Sequence, residues 1–199
     1  MIYWILRMAC APLLGLLWVG RVRHKNLVPK EGGCIIAANH ASFLDFILLF
    51  AIVPRRMTFL AAEKFFTHPL WRLIMAGTGQ IRVNRDSPDK EQVYREVGRL
   101  LSSGGCLGIF PEGTRSRDGT IHKAYNGVAK FSKKYDVPVI PVGIKGAFKA
   151  WSPSMKFPRF SKVDFIFGDP TRIETDDAEA ETQKIMKKIA TLAEMPYDY

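Results

Sequence analysis

Cysteine is scarce in this chain, which has three in 199 residues. Cys10, Cys34 and Cys106 form no C-x-x-C pair and no cluster with histidine at metal-ligand spacing, so the sequence predicts no metal site. Cys34 and Cys106 lie in apolar runs typical of buried strands, where a free thiol behaves as a small hydrophobe. Such usage favours a reducing, cytoplasmic compartment.

Signatures of several other protein classes are also missing. No G-x-S-x-G elbow supplies a serine nucleophile. The basic residues are scattered without interleaved stacking aromatics, which argues against a nucleic-acid partner. The chain is 47% hydrophobic and 24% charged, a composition that excludes intrinsic disorder. Its formal net charge of +10 attracts anions such as phosphate groups and anionic lipid.

The N-terminal segment 2–19 is apolar and carries one charge, Arg7. It is near the lower length limit for a membrane span, and a proline and a glycine interrupt it. Basic residues follow it without an A-x-A-like cleavage site, and tryptophans stand near both ends. We therefore predict a membrane-associated helix or helical hairpin over residues 1–20, peripheral or monotopic at the cytoplasmic face of the cell membrane. The alternatives are a buried core helix and a full membrane span.

After this segment, predicted strands and helices alternate over a single domain, residues 21–199. The predicted strands are 33–38, 57–62, 80–84, 106–110, 137–144 and 163–167. The predicted helices are 43–53, 68–77, about 87–101, 124–135 and 177–193. This alternation predicts an α/β fold with a central, mostly parallel sheet flanked by helices. Functional residues in such sheets gather where strands end and helices begin.

The first of these junctions holds His40 and Asp45 in the run NHASFLD. Ser42 is well placed to cap the following helix, and Asp45 then completes a capping box that needs no catalytic role. From the first helical turn, however, the Asp45 carboxylate can reach back to the imidazole and fix its tautomer. With no serine elbow in the chain, the nucleophile in this interpretation is a substrate hydroxyl that His40 deprotonates.

A second junction carries FPEGTRS, residues 110–116. Arg115 can grip a phosphate with two parallel hydrogen bonds. Glu112 can accept hydrogen bonds from a polyol or orient Arg115, and backbone N–H groups around Gly113 can approach an oxyanion. The alternative is a surface turn with a local ion pair.

Further cations stand near the ends of two other predicted strands. Arg82 and Arg85 lie in the run GQIRVNR, and Lys64 follows the run MTFLAA. Each can contribute to an anion site, or can be an exposed charge that aids solubility.

Four blocks of the sequence resemble those of one protein family. NHASFLD is similar to the N-H-x-x-x-x-D block of the glycerolipid acyltransferases, the group of 1-acylglycerol-3-phosphate and glycerol-3-phosphate O-acyltransferases. GQIRVNR, FPEGTRS and VPVIPVGI resemble the second, third and fourth blocks. A lone H-x-x-x-x-D occurs by chance, whereas FPEGTRS is specific. The four blocks stand in the family's order and cover about residues 20–170.

The resemblance implies an activity and assigns residues to it. A fatty acyl group would pass from an acyl-CoA or acyl carrier protein thioester to the free hydroxyl of 1-acylglycerol-3-phosphate, giving phosphatidic acid. His40 and Asp45 would form the catalytic base. The substrate-binding residues would be Arg85, Glu112, Gly113, Thr114 and Arg115, with Lys64 as a looser match. The partners would be the membrane surface, its lipid substrate and the acyl donor, with no metal and no cofactor beyond the thioester.

Alternatives to this activity stay open at the level of sequence. Glycerol-3-phosphate, a lysophospholipid and an amino-acid-derived lysolipid are alternative acceptors. A hydrolase would use His40 to activate water, and a non-catalytic protein would only bind anionic lipid. The short length and single N-terminal apolar segment resemble bacterial members of the family.

Overall fold

The protein, for which a computed structural model describes residues 2–67, 69–84 and 90–199, is built around a seven-stranded sheet. Its strands are β1 Val19–Arg23, β2 Cys34–Ala38, β3 Met57–Ala62, β4 Ile81–Val83, β5 Cys106–Ile109, β6 Val139–Lys145 and β7 Val163–Phe167. Their spatial order is β1-β7-β6-β2-β5-β3-β4; β6 and β7 pair antiparallel, and the other neighbouring pairs among these seven strands are parallel. The predicted α/β fold with a mostly parallel sheet is confirmed.

Helices cover both faces of this sheet. They are α1 Ile2–Leu17, α2 Leu44–Ile52, α3 Lys64–Thr67, α4 Pro69–Thr78, α5 Glu91–Ser102, α6 Gly127–Tyr135, α7 Ala147–Trp151 and α8 Ala178–Ala193, with a 3₁₀ turn at Lys25–Leu27. Alternate residues of β2 face opposite sides: Ile36 joins the apolar layer with α2 and α7, and Ile35 the layer with α5, α6 and α8. All five residues of β2 are buried, as a central parallel strand requires.

The centre of the sheet brings two of the predicted junctions together. β2 pairs with β5 in parallel, with Ala37 opposite Ile109. Because both strands run the same way, the segments after their carboxyl ends leave the sheet at one edge. One of these segments contains His40 and the other contains Glu112, so residues about 70 positions apart in sequence become neighbours.

The N-terminal helix α1 packs against α2 and α4 through one side only. Tyr3 is buried, and its hydroxyl accepts a hydrogen bond from the Met57 N–H at 3.0 Å. The opposite side is exposed and apolar, with Ile5, Met8 and Leu16 at the surface. Among the helices of the described residues, none is long and apolar enough to cross a membrane.

Some elements differ from the predictions. Residues 19–23 form the edge strand β1, which pairs with the distant β7, whereas the sequence predicted the N-terminal helix or hairpin up to residue 20 and no strand after it. The short helices α3 and α7 were also not predicted. α8 is capped by Asp177, whose side chain accepts hydrogen bonds from the N–H groups of Glu179 and Ala180. The predicted start of the helix near residue 87 lies outside the described residues.

Candidate active site

The loop between β2 and α2 places an imidazole against a buried carboxylate. His40 Nδ1 lies 2.8 Å from Asp45 Oδ2. The Asp45 side chain is fully buried, whereas 15% of the His40 side chain is exposed. His40 Nε2 has no hydrogen-bond partner among the described residues. One ring nitrogen is therefore held by the carboxylate, and the other is free to meet a substrate.

Asp45 also organises the backbone around His40. Its Oδ2 accepts hydrogen bonds from the N–H groups of Ala41 and Ser42, both at 2.8 Å. The helix begins at Leu44, whose N–H donates to Ser42 Oγ at 3.0 Å. The N-cap position is occupied by Phe43 and not by the predicted Ser42, so the predicted capping box is wrong by one residue, although Ser42 Oγ still accepts from the first N–H of the helix. The other oxygen, Oδ1, is buried and has no partner in the described parts of the chain.

Contacts from the β5 side fix the position of His40. Its ring stacks on Phe110, with the ring centroids 4.0 Å apart and the planes 14° from parallel. Its backbone N–H donates to Glu112 Oε1 at 2.7 Å, and its carbonyl accepts from the Ser116 N–H at 2.8 Å. Both polar groups of the His40 backbone are thus bonded to the FPEGTRS segment, which limits how far the ring can shift.

Glu112 bridges two loops from a buried position. While Oε1 accepts from His40, Oε2 accepts from the His122 N–H at 3.0 Å. Burial raises the pKa of Glu112 to about 7, against the lowering effect of these two hydrogen bonds. A substrate contact of Glu112 is implied by the sequence resemblance, and that role stays a prediction. The contacts present in the structure are to the backbone.

Arg115 provides a positive charge near the His40–Asp45 pair, which we call the dyad. Its guanidinium carbon lies 3.4 Å above the centre of the Phe43 ring, a cation–π contact. Its Nη1 is buried and has no hydrogen-bond partner among the residues described. Burial lowers the pKa of Arg115, and the Asp45 carboxylate acts in the opposite direction. A buried, unpaired guanidinium N–H is costly in isolation, so this group is suited to receive an anion.

The remaining predicted site residues are less constrained. Gly113 has a φ of 69°, a left-handed conformation that favours glycine, and a Cβ there would lie 2.8 Å from the ring of the exposed Tyr125. Thr114 is exposed, and so is Lys64 at the start of α3, 5.6 Å from the Phe65 ring. Arg85 lies outside the described residues.

Arg82, three positions before Arg85 in the sequence, already has a charged partner. Arg82 forms an exposed ion pair with Glu63. An exposed ion pair of this kind contributes little to stability.

Two positioning contacts were not expected from the sequence. Asn39 is buried and makes paired hydrogen bonds to Ile144, whose N–H donates to Oδ1 at 2.8 Å and whose carbonyl accepts from Nδ2 at 2.9 Å. The Trp151 carbonyl, at the end of α7, accepts from Ser42 Oγ at 2.8 Å. The asparagine next to His40 was the available signal, but its partner is 105 residues away.

The site contains groups for proton transfer and anion binding. Within residues 2–67, 69–84 and 90–199, no three His, Cys, Asp or Glu side chains are grouped so as to hold a metal ion. The oriented imidazole can accept a proton from a hydroxyl, and Arg115 can bind a phosphate or carboxylate nearby.

Comparisons with known proteins identify the family of the chain. The acyltransferase family model matches residues 20–145. The 1-acyl-sn-glycerol-3-phosphate acyltransferase of Cocos nucifera is 28% identical over 74% of this chain and 48% of its own length. The protein of that name from Bacillus subtilis (strain 168) is 26% identical over 75% of this chain and 72% of its own. The chain thus spans about half the length of the Cocos nucifera relative.

A solved structure shares the fold. The crystal structure of the 1-acyl-sn-glycerophosphate acyltransferase PlsC from Thermotoga maritima superposes with a TM-score of 0.78 at 22% identity. The match covers 100% of this chain and 80% of the PlsC chain.

Proposed function

Because the chain belongs to the acyltransferase family, we propose that it moves a fatty acyl group from a thioester to the free hydroxyl of 1-acylglycerol-3-phosphate. The observation that carries the proposal is the His40–Asp45 hydrogen bond, which leaves the second ring nitrogen of His40 without a partner among the described residues; the buried, unpaired Nη1 of Arg115 in the segment bonded to His40 supports it. The names of the relatives from Cocos nucifera and Bacillus subtilis support this choice of acceptor.

In the proposed reaction His40 acts first as base and then as acid. Nε2 takes the proton of the acceptor hydroxyl while its oxygen attacks the thioester carbonyl carbon. The tetrahedral intermediate collapses, the C–S bond breaks, and the proton passes from His40 to the leaving thiolate. Asp45 stays ionised and holds the imidazole through Nδ1. General base catalysis of this kind contributes roughly 10²–10⁴-fold in rate, and the scheme needs no metal and no cofactor besides the thioester.

The acceptor phosphate is proposed to bind at Arg115. Stacking on Phe43 fixes the plane of the guanidinium, so its N–H groups already point in one direction before the substrate arrives. Arg85 and Lys64 stay in the proposal as further phosphate ligands, and Thr114 and Gly113 as loop contacts. Arg115 is the member of this set with a buried, unpartnered donor in the described residues.

We further propose that the enzyme works at the cytoplasmic face of the cell membrane. Both acceptor and product are amphiphiles, and α1 presents exposed apolar side chains such as Met8 and Leu16. A 16-residue helix of this kind can lie in one leaflet with its outer side among the lipid chains. The acceptor could then reach the site without leaving the bilayer completely.

The test is an acyl-transfer assay with purified protein, a panel of acceptors, and both acyl-CoA and acyl carrier protein donors. 1-Acylglycerol-3-phosphate should be the best acceptor, and His40→Asn should lower its turnover by at least about 10²-fold. His24→Asn is the matched control, because His24 is exposed and has a left-handed φ of 58° that asparagine tolerates. Wild-type turnover in His40→Asn would end the proposed mechanism, and a better acceptor in the panel would replace the proposed one.

A further inference from the structure

The loop that joins α7 to β7, residues 152–162, carries two of the most exposed aromatic side chains of the molecule. Phe157 is 71% exposed and Phe160 is 81% exposed. We propose that this loop is a second membrane contact, which inserts both phenylalanines beside α1 and rests its cations on anionic lipid headgroups. It deepens the proposed function, since it specifies how the enzyme is oriented on the bilayer.

Three contacts join the loop to the carboxyl end of α1. The Trp18 ring stacks on Phe160, with centroids 5.9 Å apart and planes 24° from parallel. Trp18 Nε1–H donates to the Arg159 carbonyl at 2.9 Å, and Lys162 Nζ donates to the Leu16 carbonyl at 2.7 Å. The lysine thereby satisfies a carbonyl that the last turn of a helix leaves without an intrahelical partner. Phe160 therefore adjoins the carboxyl end of α1, and Phe157 stands three positions before it in the same loop.

The charges of this segment point to a bilayer with anionic lipid. Residues 146–163 contain four cations and no Asp or Glu; the cations, all exposed, are Lys149, Lys156, Arg159 and Lys162. Each basic residue near an anionic membrane surface strengthens binding about fivefold. Aromatic residues alternating with cations suit the interface, where rings enter the acyl region and charges stay with the headgroups.

Hydrogen bonds and a ring contact connect the loop to the segment that carries the dyad. The Arg159 N–H donates to the Ala150 carbonyl at 2.7 Å, which fixes the loop to α7. At the end of α7, the Trp151 carbonyl accepts from Ser42 Oγ, and the Trp151 ring lies 5.0 Å from that of Phe43. Ser42 and Phe43 belong to the segment between His40 and Asp45. A bilayer touching the loop would therefore lie near the site where a lipid hydroxyl must enter.

The proposal can be tested by flotation of the full-length protein with vesicles, which requires no turnover. Vesicles of phosphatidylcholine alone are compared with vesicles that also contain phosphatidylglycerol. The apolar variant is Phe157→Ser with Phe160→Ser, and the charge variant is Lys156→Gln with Arg159→Gln. Tyr199→Ser is the aromatic control, because Tyr199 is exposed but contacts Tyr197 instead of the loop. Lys130→Gln with Lys187→Gln is the charge control, on α6 and α8.

We expect the apolar variant to lower the partition coefficient by about tenfold for each phenylalanine on both vesicle types. The charge variant should lose about fivefold per cation on anionic vesicles and little on neutral ones. Phe157→Trp should retain binding, which separates insertion from damage to the fold. Unchanged partitioning of the apolar variant, or an equal loss in Tyr199→Ser, would overturn the proposal. Vesicle binding is measured without substrate. A negative flotation result would therefore overturn the membrane contact of the loop without bearing on the acyl-transfer proposal, which the turnover assay tests.

Discussion

At the scale of single residues, Asp45 combines two tasks in one oxygen atom. Oδ2 accepts from Ala41 and Ser42 and also contacts His40 Nδ1. In Asp45→Asn, an amide oxygen can still accept the backbone N–H groups, but the uncharged group no longer fixes the tautomer or stabilises a protonated imidazole. We expect the rate of acyl transfer to fall on the order of 10³-fold, while the thermal midpoint shifts by only a few degrees.

The measurement pairs turnover with thermal unfolding of the same preparation. A folded Asp45→Asn protein with wild-type turnover would show that the carboxylate is only a helix cap. Ser42→Ala is a useful companion, because it removes the bonds of Ser42 Oγ to Leu44 and Trp151 but leaves the dyad intact. It should lower stability by about 1 kcal/mol and reduce turnover far less.

Arg115 leads to a prediction about binding rather than chemistry. Arg115→Lys keeps the positive charge but loses the planar group stacked on Phe43 and the paired donors. We expect the KM of the lysophosphatidate acceptor to rise roughly tenfold or more, the size of a lost charged hydrogen bond, with a smaller change in kcat. Arg95→Lys, on the surface of α5, is the matched control. An unchanged KM would show that the acceptor phosphate does not bind at Arg115.

The residues that sequence could place are those with local partners. His40 and Asp45 are five positions apart across a strand–helix junction, so the approach of the carboxylate could be predicted from spacing. Glu112 contacts His40 across 72 positions, and Asn39 contacts Ile144 across 105. Those contacts depend on which strands are neighbours in the sheet, and an alternating pattern of strands and helices does not specify their order. The catalytic and substrate-binding roles themselves stay predictions.

At the scale of elements, the segments after β2 and β5 are joined by the Glu112 carboxyl, which makes their junction sensitive to pH. The pKa of Glu112 is about 7 in the folded protein and 4.5 ordinarily, so folding favours its protonated form. Stability from this group is fully present below pH 4.5 and is lost as pH rises through about 7. Between pH 5 and pH 8, the loss should be about 2 kcal/mol.

Glu112→Gln isolates this effect, because glutamine does not titrate. Urea unfolding of both proteins at pH 5 and pH 8 should show a larger fall in the free energy of unfolding for wild type than for Glu112→Gln. Equal falls in the two proteins would mean that the carboxyl is not held in a raised-pKa state. Glutamine offers one acceptor oxygen for two N–H groups, so we also expect Glu112→Gln to be less stable at pH 8 than an exposed control such as Glu91→Gln.

Elements with a strong pattern were predictable, and those defined by their partners were not. The strands β2, β3 and β7 lie within a residue of their predicted bounds, since continuous or alternating apolar runs indicate them directly. β1 has the sequence VGRVR at the end of an apolar helix, where it was interpreted as a basic flank. It is a strand because β7 pairs with it, and β7 begins 144 residues after β1, from Val19 to Val163.

At the scale of the whole molecule, one side of α1 packs on the protein, and its exposed apolar side is the one proposed to contact the membrane. Tyr3→Phe removes the hydroxyl that accepts from the buried Met57 N–H, so the free energy of unfolding should fall by about 1–3 kcal/mol with little change in vesicle binding. Met8→Ser, at a position 76% exposed, should do the reverse. Chemical denaturation and flotation of both variants check this pair of outcomes. Loss of vesicle binding in Tyr3→Phe alone would contradict the assignment of the two sides.

The pairing of β1 with β7 also means that β1 must wait for its partner strand during synthesis of the chain. Val163 leaves the ribosome 144 positions after Val19. At about 5–20 residues per second, this delay lasts about 7–30 s, during which α1 lacks both its strand partner and the loop that caps it. A nearby bilayer is the apolar environment available meanwhile. We expect nascent chains stalled before residue 163 to bind vesicles through α1, and Met8→Ser to weaken that binding. If stalled nascent chains do not bind vesicles, membrane attachment follows folding.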